Sequence, residues 1–148
     1  MRKAPSEPIL LLDANVLLAL AWPNHQFHDA ALARLEPSRE RWATCALTEL
    51  AFIRLSSNPA AVTHAKTPAE AVALLAAMTR DPRHVCLRSL EAPVAPAVAR
   101  WLVRATGHTQ ITDAYLLALA ESHRAVLLTF DARLSALAGS DVAVEVLH

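Results

Sequence analysis

The 148-residue sequence is poor in several residue types that mark particular classes of protein. It has two glycines and two cysteines, and aromatic residues make up only 5% of it. Two thiols in a chain long enough to bury a large core indicate a reducing compartment and exclude a disulfide scaffold, so we expect Cys45 and Cys86 to be reduced core thiols. Charged residues are also scarce, at 19% against 54% hydrophobic residues, which is not the composition of a disordered chain.

Long apolar runs and an excess of charge are absent as well. No stretch reaches the roughly 18 apolar residues of a membrane span. Arg2 and Lys3 ahead of an apolar run look like the start of a secretory signal, but Asp13 and Asn15 interrupt that run. Fourteen basic residues balance fourteen acidic ones, so net charge says nothing about nucleic acid. We expect one soluble, cytoplasmic domain over residues 1–148.

The remaining pattern alternates short apolar runs with longer segments of helical period. Thr67 to Glu70 form a capping box with proline at the first helical position, and Asn24 is expected to cap another helix. The predicted strands are 9–12, 41–45, 84–87, 125–130 and 142–147. The predicted helices are 14–21, 24–35, 47–56, 67–79, 93–105 or 96–105, 109–123 and 132–138. Such alternation predicts an α/β fold, a three-layer α/β/α sandwich with a central parallel sheet of four or five strands.

Acidic residues follow three of these predicted strands. Asp13 ends the first strand, Glu49 lies in the first turn of the helix after the second, and Asp131 ends the fourth. The carboxyl ends of parallel strands share one edge of the sheet, so these three side chains should gather there. Asp113 opens the helix that precedes the fourth strand, and the same argument does not place it.

Converging carboxylates in an apolar domain repel one another unless a cation compensates. Oxygen ligands with no neighbouring Cys or His cluster suit Mg²⁺, or alternatively Mn²⁺, better than zinc. A metal held in this way can orient a phosphate, generate a hydroxide nucleophile and stabilise a leaving oxygen, which indicates phosphodiester hydrolysis. Taken alone, Asp13 fits a simple helix N-cap equally well.

Four segments together carry a family resemblance over nearly the whole chain. They are Leu12-Asp13-Ala14-Asn15-Val16-Leu17-Leu18, Thr48-Glu49, Thr112-Asp113-Ala114 and Leu128-Thr129-Phe130-Asp131. In order and spacing they resemble the PIN-domain ribonucleases, and within them the VapC-type toxins of bacterial toxin–antitoxin pairs. The resemblance implies a PIN-like nuclease domain with Mg²⁺-dependent endoribonuclease activity.

The resemblance also implies roles for individual residues and partners. The acidic, metal-binding quartet would be Asp13, Glu49, Asp113 and Asp131, and the supporting polar residues that orient carboxylates or water would be Asn15, Thr112 and Thr129. RNA would be the substrate, a VapB-type antitoxin the inhibitor, and a homodimer the assembly. The sequence departs from many relatives at Arg124, where they have a glycine between the last long helix and the fourth strand.

Two other functions stay open on the sequence alone. In a non-catalytic α/β interaction domain, the same carboxylates would serve as helix caps. A metal-dependent phosphatase of the aspartyl-nucleophile type needs a second aspartate two residues after the first, and this position is Asn15.

Overall fold

The computed structural model describes residues 7–88 and 92–148, and the predicted alternation of strands and helices is present in them. A short 3-10 helix, His108–Gln110, precedes the longest helix. The elements in chain order are β1 (Leu10–Leu12), α1 (Ala14–Ala21), α2 (His28–Leu35), β2 (Trp42–Cys45), α3 (Ala46–Ser56), α4 (Pro68–Met78), β3 (His84–Leu87), α5 (Pro96–Leu102), α6 (Ile111–His123), β4 (Val126–Thr129), α7 (Arg133–Ala138) and β5 (Val144–Val146).

The five strands form one sheet in the order β3-β2-β1-β4-β5, and every neighbouring pair is parallel. The chain builds the sheet outward from β1 to β3, and then crosses over to lay β4 against the other side of β1. Such a reversal leaves a crevice at the carboxyl ends of the strands, where sheets of this kind bind their ligands. In this chain the crevice lies between β1 and β4.

Two hydrophobic cores, one on each face of the sheet, make the fold a three-layer sandwich. Leu11 points into one core, where it packs with Trp101 of α5 and with α6 and α7. Leu10 and Leu12 point into the other core, against α1, Phe52 of α3 and Leu75 of α4. Because alternate residues of β1 serve opposite faces and all three are buried, the unbroken leucine run is that of a strand covered on both sides. The predicted α/β/α sandwich with a parallel sheet is confirmed.

Several helix boundaries follow from local chemistry. The Thr67 hydroxyl accepts the backbone N–H of Glu70 at 3.1 Å, and the Glu70 carboxylate accepts that of Thr67 at 3.2 Å, so the predicted capping box is present. Helix α1 has the predicted bounds and ends before Pro23. Among the described residues, no helix is both long enough and apolar enough to cross a bilayer.

The predicted helix start at Asn24 is wrong, because α2 begins only at His28. The intervening residues form turns, in which the backbone N–H of Phe27 donates to Nδ1 of His25 at 3.1 Å. The Phe27 ring stacks on Phe130 with centroids 4.5 Å apart. This aromatic contact orders the segment as a loop over the sheet edge, which the capping preference of one asparagine could not reveal.

The expectation that both cysteines are core thiols is half wrong. Cys45 of β2 is buried, but Cys86 is exposed. The two residues lie on adjacent strands, as anticipated, and Cys86 pairs with Thr44 in the β2–β3 register. Because β3 is an edge strand, burial on one side does not extend to Cys86.

Arg124, where the sequence departs from the family pattern, has an unusual backbone conformation. Helix α6 ends at His123, and Arg124 adopts the left-handed conformation, with φ 52° and ψ 37°. Its N–H still donates to the carbonyls of the last helical turn, as in a glycine-terminated helix. The helix therefore ends where a glycine would end it, with an arginine held in a conformation that costs an L residue energy.

Candidate active site

Asp13 lies at the crevice between β1 and β4, directly after β1. It occupies the N-cap position of α1, but within residues 7–88 and 92–148 no side-chain cap hydrogen bond joins it to that helix. Its Oδ2 instead accepts the hydroxyl of Thr129, at the end of β4, at 2.8 Å. Burial raises the pKa of Asp13, and the Asp131 carboxylate adds to this, although hydrogen bonds from Thr129 and the Ala14 backbone oppose it. A simple cap would direct its carboxylate to the backbone N–H of the second or third helical residue, whereas the Asp13 carboxylate accepts the Thr129 hydroxyl.

Asp113 lies at the same crevice, but it belongs to helix α6 and not to the end of a strand. It lies in the first turn of α6, where an acid normally gains from the helix dipole. Here burial, together with the negative charges of Asp13 and Asp131, raises the pKa of Asp113 to about 6, with Arg133 acting in the opposite direction. The three aspartates therefore lie within electrostatic range of one another, and two of them have raised pKa values.

Asp131 carries its own counter-ion. The Arg133 guanidinium contacts both carboxylate oxygens, with Nη2 2.8 Å from Oδ2 and Nε 3.0 Å from Oδ1, and the Arg133 backbone N–H also donates to Oδ1 at 2.9 Å. These contacts hold the pKa of Asp131 below its usual value despite partial burial. Asp131 thus has a local role in the turn before α7, and the positive charge of Arg133 also acts on Asp113.

Glu49 lies on the other side of β1, in the first turn of α3, and belongs to a neighbouring polar group. Its Oε1 accepts the hydroxyl of Thr44 in β2 at 2.7 Å, and the same hydroxyl is 2.7 Å from Nε2 of His84 in β3. The charge of Glu49 acts on His84 and Cys86, whereas Asp113 responds to Asp13 and Asp131. The structure therefore brings the three aspartates together and leaves Glu49 one strand away.

The three predicted supporting residues differ in what surrounds them. Thr129 is fully buried and bonds both Asp13 and the backbone N–H of Asp131, the latter at 3.1 Å. Asn15 and Thr112 are exposed, next to Asp13 and Asp113 respectively. Thr129 has the contacts expected of a residue that orients carboxylates, and the other two face solvent at the mouth of the crevice.

The chemistry of the donor set fits a hard divalent cation. It consists of half-buried carboxylates, whose mutual repulsion is partly offset by the Arg133 guanidinium. In the arrangement seen, however, no three His, Cys, Asp or Glu side chains of the described ranges are close enough to share an ion. Side-chain rotation, above all of Asp131 away from Arg133, would have to accompany binding.

Sequence reasoning missed three residues of this region. The sequence predicts Thr44 and His84 only as strand residues, and Arg133 only as part of a short helix. The position of Arg133, two residues after Asp131, is a local signal that could have indicated a contact. Thr44 and His84 lie 40 positions apart, and their contact depends on the β2–β3 register, which the sequence does not specify.

Comparison with known sequences gives one family and several relatives. The profile of the family described as "PIN domain" matches residues 10–140. Ribonuclease VapC39 of Mycobacterium tuberculosis is 41% identical over 138 residues, which cover 93% of this chain and 98% of that protein. Ribonuclease VapC38 of the same species is 38% identical over 133 residues, covering 86% of this chain and 89% of the relative.

Solved structures with the same fold include two from toxin–antitoxin systems. VapC20 of Mycobacterium tuberculosis, described as a sarcin–ricin loop cleaving toxin, superposes with a TM-score of 0.70 at 20% identity, covering 94% of this chain and 99% of that one. A chain of VapBC2 from Rickettsia felis, bound to a DNA fragment of its promoter, gives 0.67 at 13% identity, covering 95% and 99%. At these identities the likeness concerns the fold.

Proposed function

The chain belongs to the PIN-domain family, and from this membership and the site described above we propose that it is a metal-dependent endoribonuclease, the toxin of a type II toxin–antitoxin pair. The substrate would be RNA, cleaved by hydrolysis of a phosphodiester bond. Sequence relatives that cover nearly the whole chain are named ribonucleases, which supports this class of reaction. We further propose that the protein acts in the cytoplasm, where its RNA substrate would be found.

The observation that carries the proposal is the environment of Asp13. A half-buried carboxylate that makes no cap hydrogen bond to the adjacent helix and lies near two other aspartates destabilises the apo fold. Such an arrangement is expected where a cation or substrate compensates in the working state. An interaction domain that used its acids as helix caps would have no reason to gather them at this crevice.

We assign Asp13, Glu49, Asp113 and Asp131 as the residues that would hold Mg²⁺, with Mn²⁺ as an alternative. Once bound, the ion would supply Lewis-acid stabilisation of the phosphate oxygens and activation of water. The hydroxyl of Thr129 would keep Asp13 oriented and ionised, and the Arg133 guanidinium, once released from Asp131, could pair with a backbone phosphate. Asn15 and Thr112 would contact water or RNA at the mouth of the crevice.

A protein partner beside the site forms part of the same proposal. A chain of the VapBC2 structure from Rickettsia felis has this fold, which supports a VapB-type antitoxin for this protein. An apolar groove next to Asp113 includes the exposed side chains of Leu50 and Ile111, 65% and 44% exposed. Apolar surface next to a charged site suits a protein that covers both, and we keep a homodimer as the assembly of the toxin itself.

Cleavage of an unstructured RNA pool tests the proposal. We expect cleavage with Mg²⁺, loss of cleavage with EDTA, and a loss of about 100-fold or more in Asp13→Asn, since removing a residue that acts in the reaction commonly costs this much. The matched control is Asp29→Asn, which alters an exposed acid in the first turn of α2 and should leave the rate unchanged. Circular dichroism confirms that both variants fold.

Two outcomes would contradict the assignment. Cleavage that persists in EDTA and in Asp13→Asn would exclude a metal-dependent reaction at this site. No cleavage and no Mn²⁺ binding in calorimetry at millimolar metal would favour the non-catalytic domain.

A further inference from the structure

One buried hydroxyl joins Glu49 to a histidine on the next strand. The Thr44 side chain is fully buried, and its Oγ1 lies 2.7 Å both from Oε1 of Glu49 and from Nε2 of His84. These contacts span the helix start of α3, the end of β2 and the beginning of β3. Glu49, Thr44 and His84 thus form a continuous chain of hydrogen bonds that runs away from the three aspartates.

Counting protons fixes the direction of this chain. A threonine hydroxyl has one proton to donate, and an ionised carboxylate can only accept. If Nε2 of His84 were also an acceptor, one of the two 2.7 Å contacts would set lone pair against lone pair. With Glu49 ionised, both contacts are hydrogen bonds only if His84 donates its Nε2–H to Thr44, which then donates to Glu49.

The surroundings of His84 hold its ring in place for this donation. Its centroid lies 4.7 Å from that of Trp42, whose Nε1–H donates to Asp81 at 3.1 Å. Burial lowers the pKa of His84, opposed by the carboxylates of Glu49 and Asp81 and by a hydrogen bond between the ring and the Thr79 backbone. The ring is therefore a fixed donor rather than a mobile surface side chain.

We propose that His84 is a positioning residue that orients the Glu49 carboxylate through the hydroxyl of Thr44. The inference rests on the proposed role of Glu49 as a site carboxylate. Glu49 lies one strand away from the aspartates, so its rotation decides whether it can join them at a metal. A donor chain anchored in β3 fixes the torsion that otherwise leaves a glutamate carboxylate free to turn.

The first test reads the proton arrangement directly and needs neither metal nor RNA. Nitrogen-15 NMR of the histidine ring in the metal-free protein distinguishes a protonated Nε2 from a bare one. We expect His84 to carry its proton on Nε2. A bare Nε2 would overturn the proposal, because Thr44 could then not serve both partners.

The second test compares variants that keep or remove the donor. In His84→Phe the ring still packs on Trp42 but cannot donate, and His84→Gln retains an N–H. We expect His84→Phe to weaken Mn²⁺ binding, measured by calorimetry, about tenfold, as for other residues that orient ligands, and His84→Gln to recover most of it. His123→Gln, at an exposed position at the end of α6, is the matched control and should change nothing.

Variants of Thr44 complete a double-mutant cycle with the His84 variants. Thr44→Val should weaken Mn²⁺ binding as His84→Phe does, Thr44→Ser should restore it, and the Thr44→Val, His84→Phe double variant should lose no more than Thr44→Val alone. Raised Mn²⁺ should rescue RNA cleavage by His84→Phe, and circular dichroism of the metal-free variant distinguishes this from a folding defect. Additive losses of Mn²⁺ affinity in the double variant, or equal losses in His84→Phe and His84→Gln, would overturn the proposed role of His84.

The outcomes also separate this inference from the proposed function. A wild type that binds no Mn²⁺ and cleaves no RNA contradicts the proposed function, while the nitrogen-15 result still decides the proton arrangement. Metal-dependent cleavage together with a bare Nε2 contradicts only the role of His84.

Discussion

Replacing Asp113 with asparagine should stabilise the metal-free protein at neutral pH. An acid in the first turn of a helix ordinarily favours that helix, so removing its charge should destabilise it slightly. Asp113 is different, because burial and the charges of Asp13 and Asp131 make its ionised form unfavourable in the folded state. Asparagine keeps the shape of the side chain and removes the repulsion.

The magnitude follows from the pKa of Asp113, which folding raises from 3.8 to about 6. At about 1.4 kcal/mol for each pKa unit, this shift corresponds to roughly 3 kcal/mol. Because Asp113 is only partly buried, solvent screening reduces the effect, and we expect a gain of about 1–2 kcal/mol. The charges of Asp13 and Asp113 are coupled, so the gain belongs to the pair rather than to one group.

The direction in which the stability difference between the variant and the wild type changes with pH distinguishes charge repulsion from a packing effect. The folded state binds the Asp113 proton more tightly than the unfolded state, so the contribution of Asp113 to the wild-type free energy of unfolding falls as pH rises from about 4 to about 6. The asparagine side chain in Asp113→Asn does not titrate, so the advantage of this variant over wild type should be small near about pH 4 and full near about pH 7.5. Urea unfolding at the two pH values measures the difference.

The control and the refuting result are equally specific. Asp29→Asn removes an exposed first-turn acid of α2 and should lower stability slightly, by about 0.3–0.5 kcal/mol at neutral pH. Millimolar Mg²⁺ should raise the midpoint of the wild type and reduce the advantage of Asp113→Asn. An Asp113→Asn variant that is no more stable than wild type at neutral pH would show that the three aspartates do not repel one another.

Three further substitutions test other parts of the structure. Arg124→Gly should raise the free energy of unfolding by about 1 kcal/mol by relieving the left-handed backbone, and Arg124→Ala should not; equal urea midpoints would contradict this. Gly139→Ala should cost about 1–3 kcal/mol because φ is 59° and ψ −130°, although open space surrounds the new methyl group; an unchanged thermal midpoint would show that the turn relaxes. Arg133→Ala should strengthen Mn²⁺ binding about twofold to fivefold by freeing Asp131, with Arg54→Ala as the control; weaker binding in calorimetry would refute the competition.

The strand-borne acids could be located from sequence because parallel sheets restrict where their strands end. Once the leucine run before Asp13 and the apolar run before Asp131 are recognised as buried parallel strands, both acids must lie at the same sheet edge. The sequence did not give the order of the strands in the sheet. This order places Asp131 next to Asp13, and it places Glu49 on the opposite side of β1. Which acids are neighbours along this sheet edge therefore could not be predicted.

Asp113 could have been placed by the same reasoning carried one step further. The helix of a β–α–β crossover runs antiparallel to its strands, so it starts over their carboxyl ends. Helix α6 leads into β4 and obeys this rule, which brings Asp113 to the crevice from the helix layer. By contrast, the loop before His28 and the exposure of Cys86 depend on a tertiary aromatic contact and on an edge-strand position, which local preferences do not specify.

The two strands beside β1 use the same device to hold a site acid. Thr44 near the end of β2 and Thr129 at the end of β4 are both fully buried, and each donates its hydroxyl to a carboxylate, at 2.7 and 2.8 Å. A buried threonine on a strand has a restricted side-chain torsion, so its hydroxyl is a rigid donor. Such a donor favours the ionised form of an acid whose pKa burial raises, and Thr129 acts in this way on Asp13. The sheet itself thus supplies donors that orient Asp13 and Glu49 in the metal-free protein.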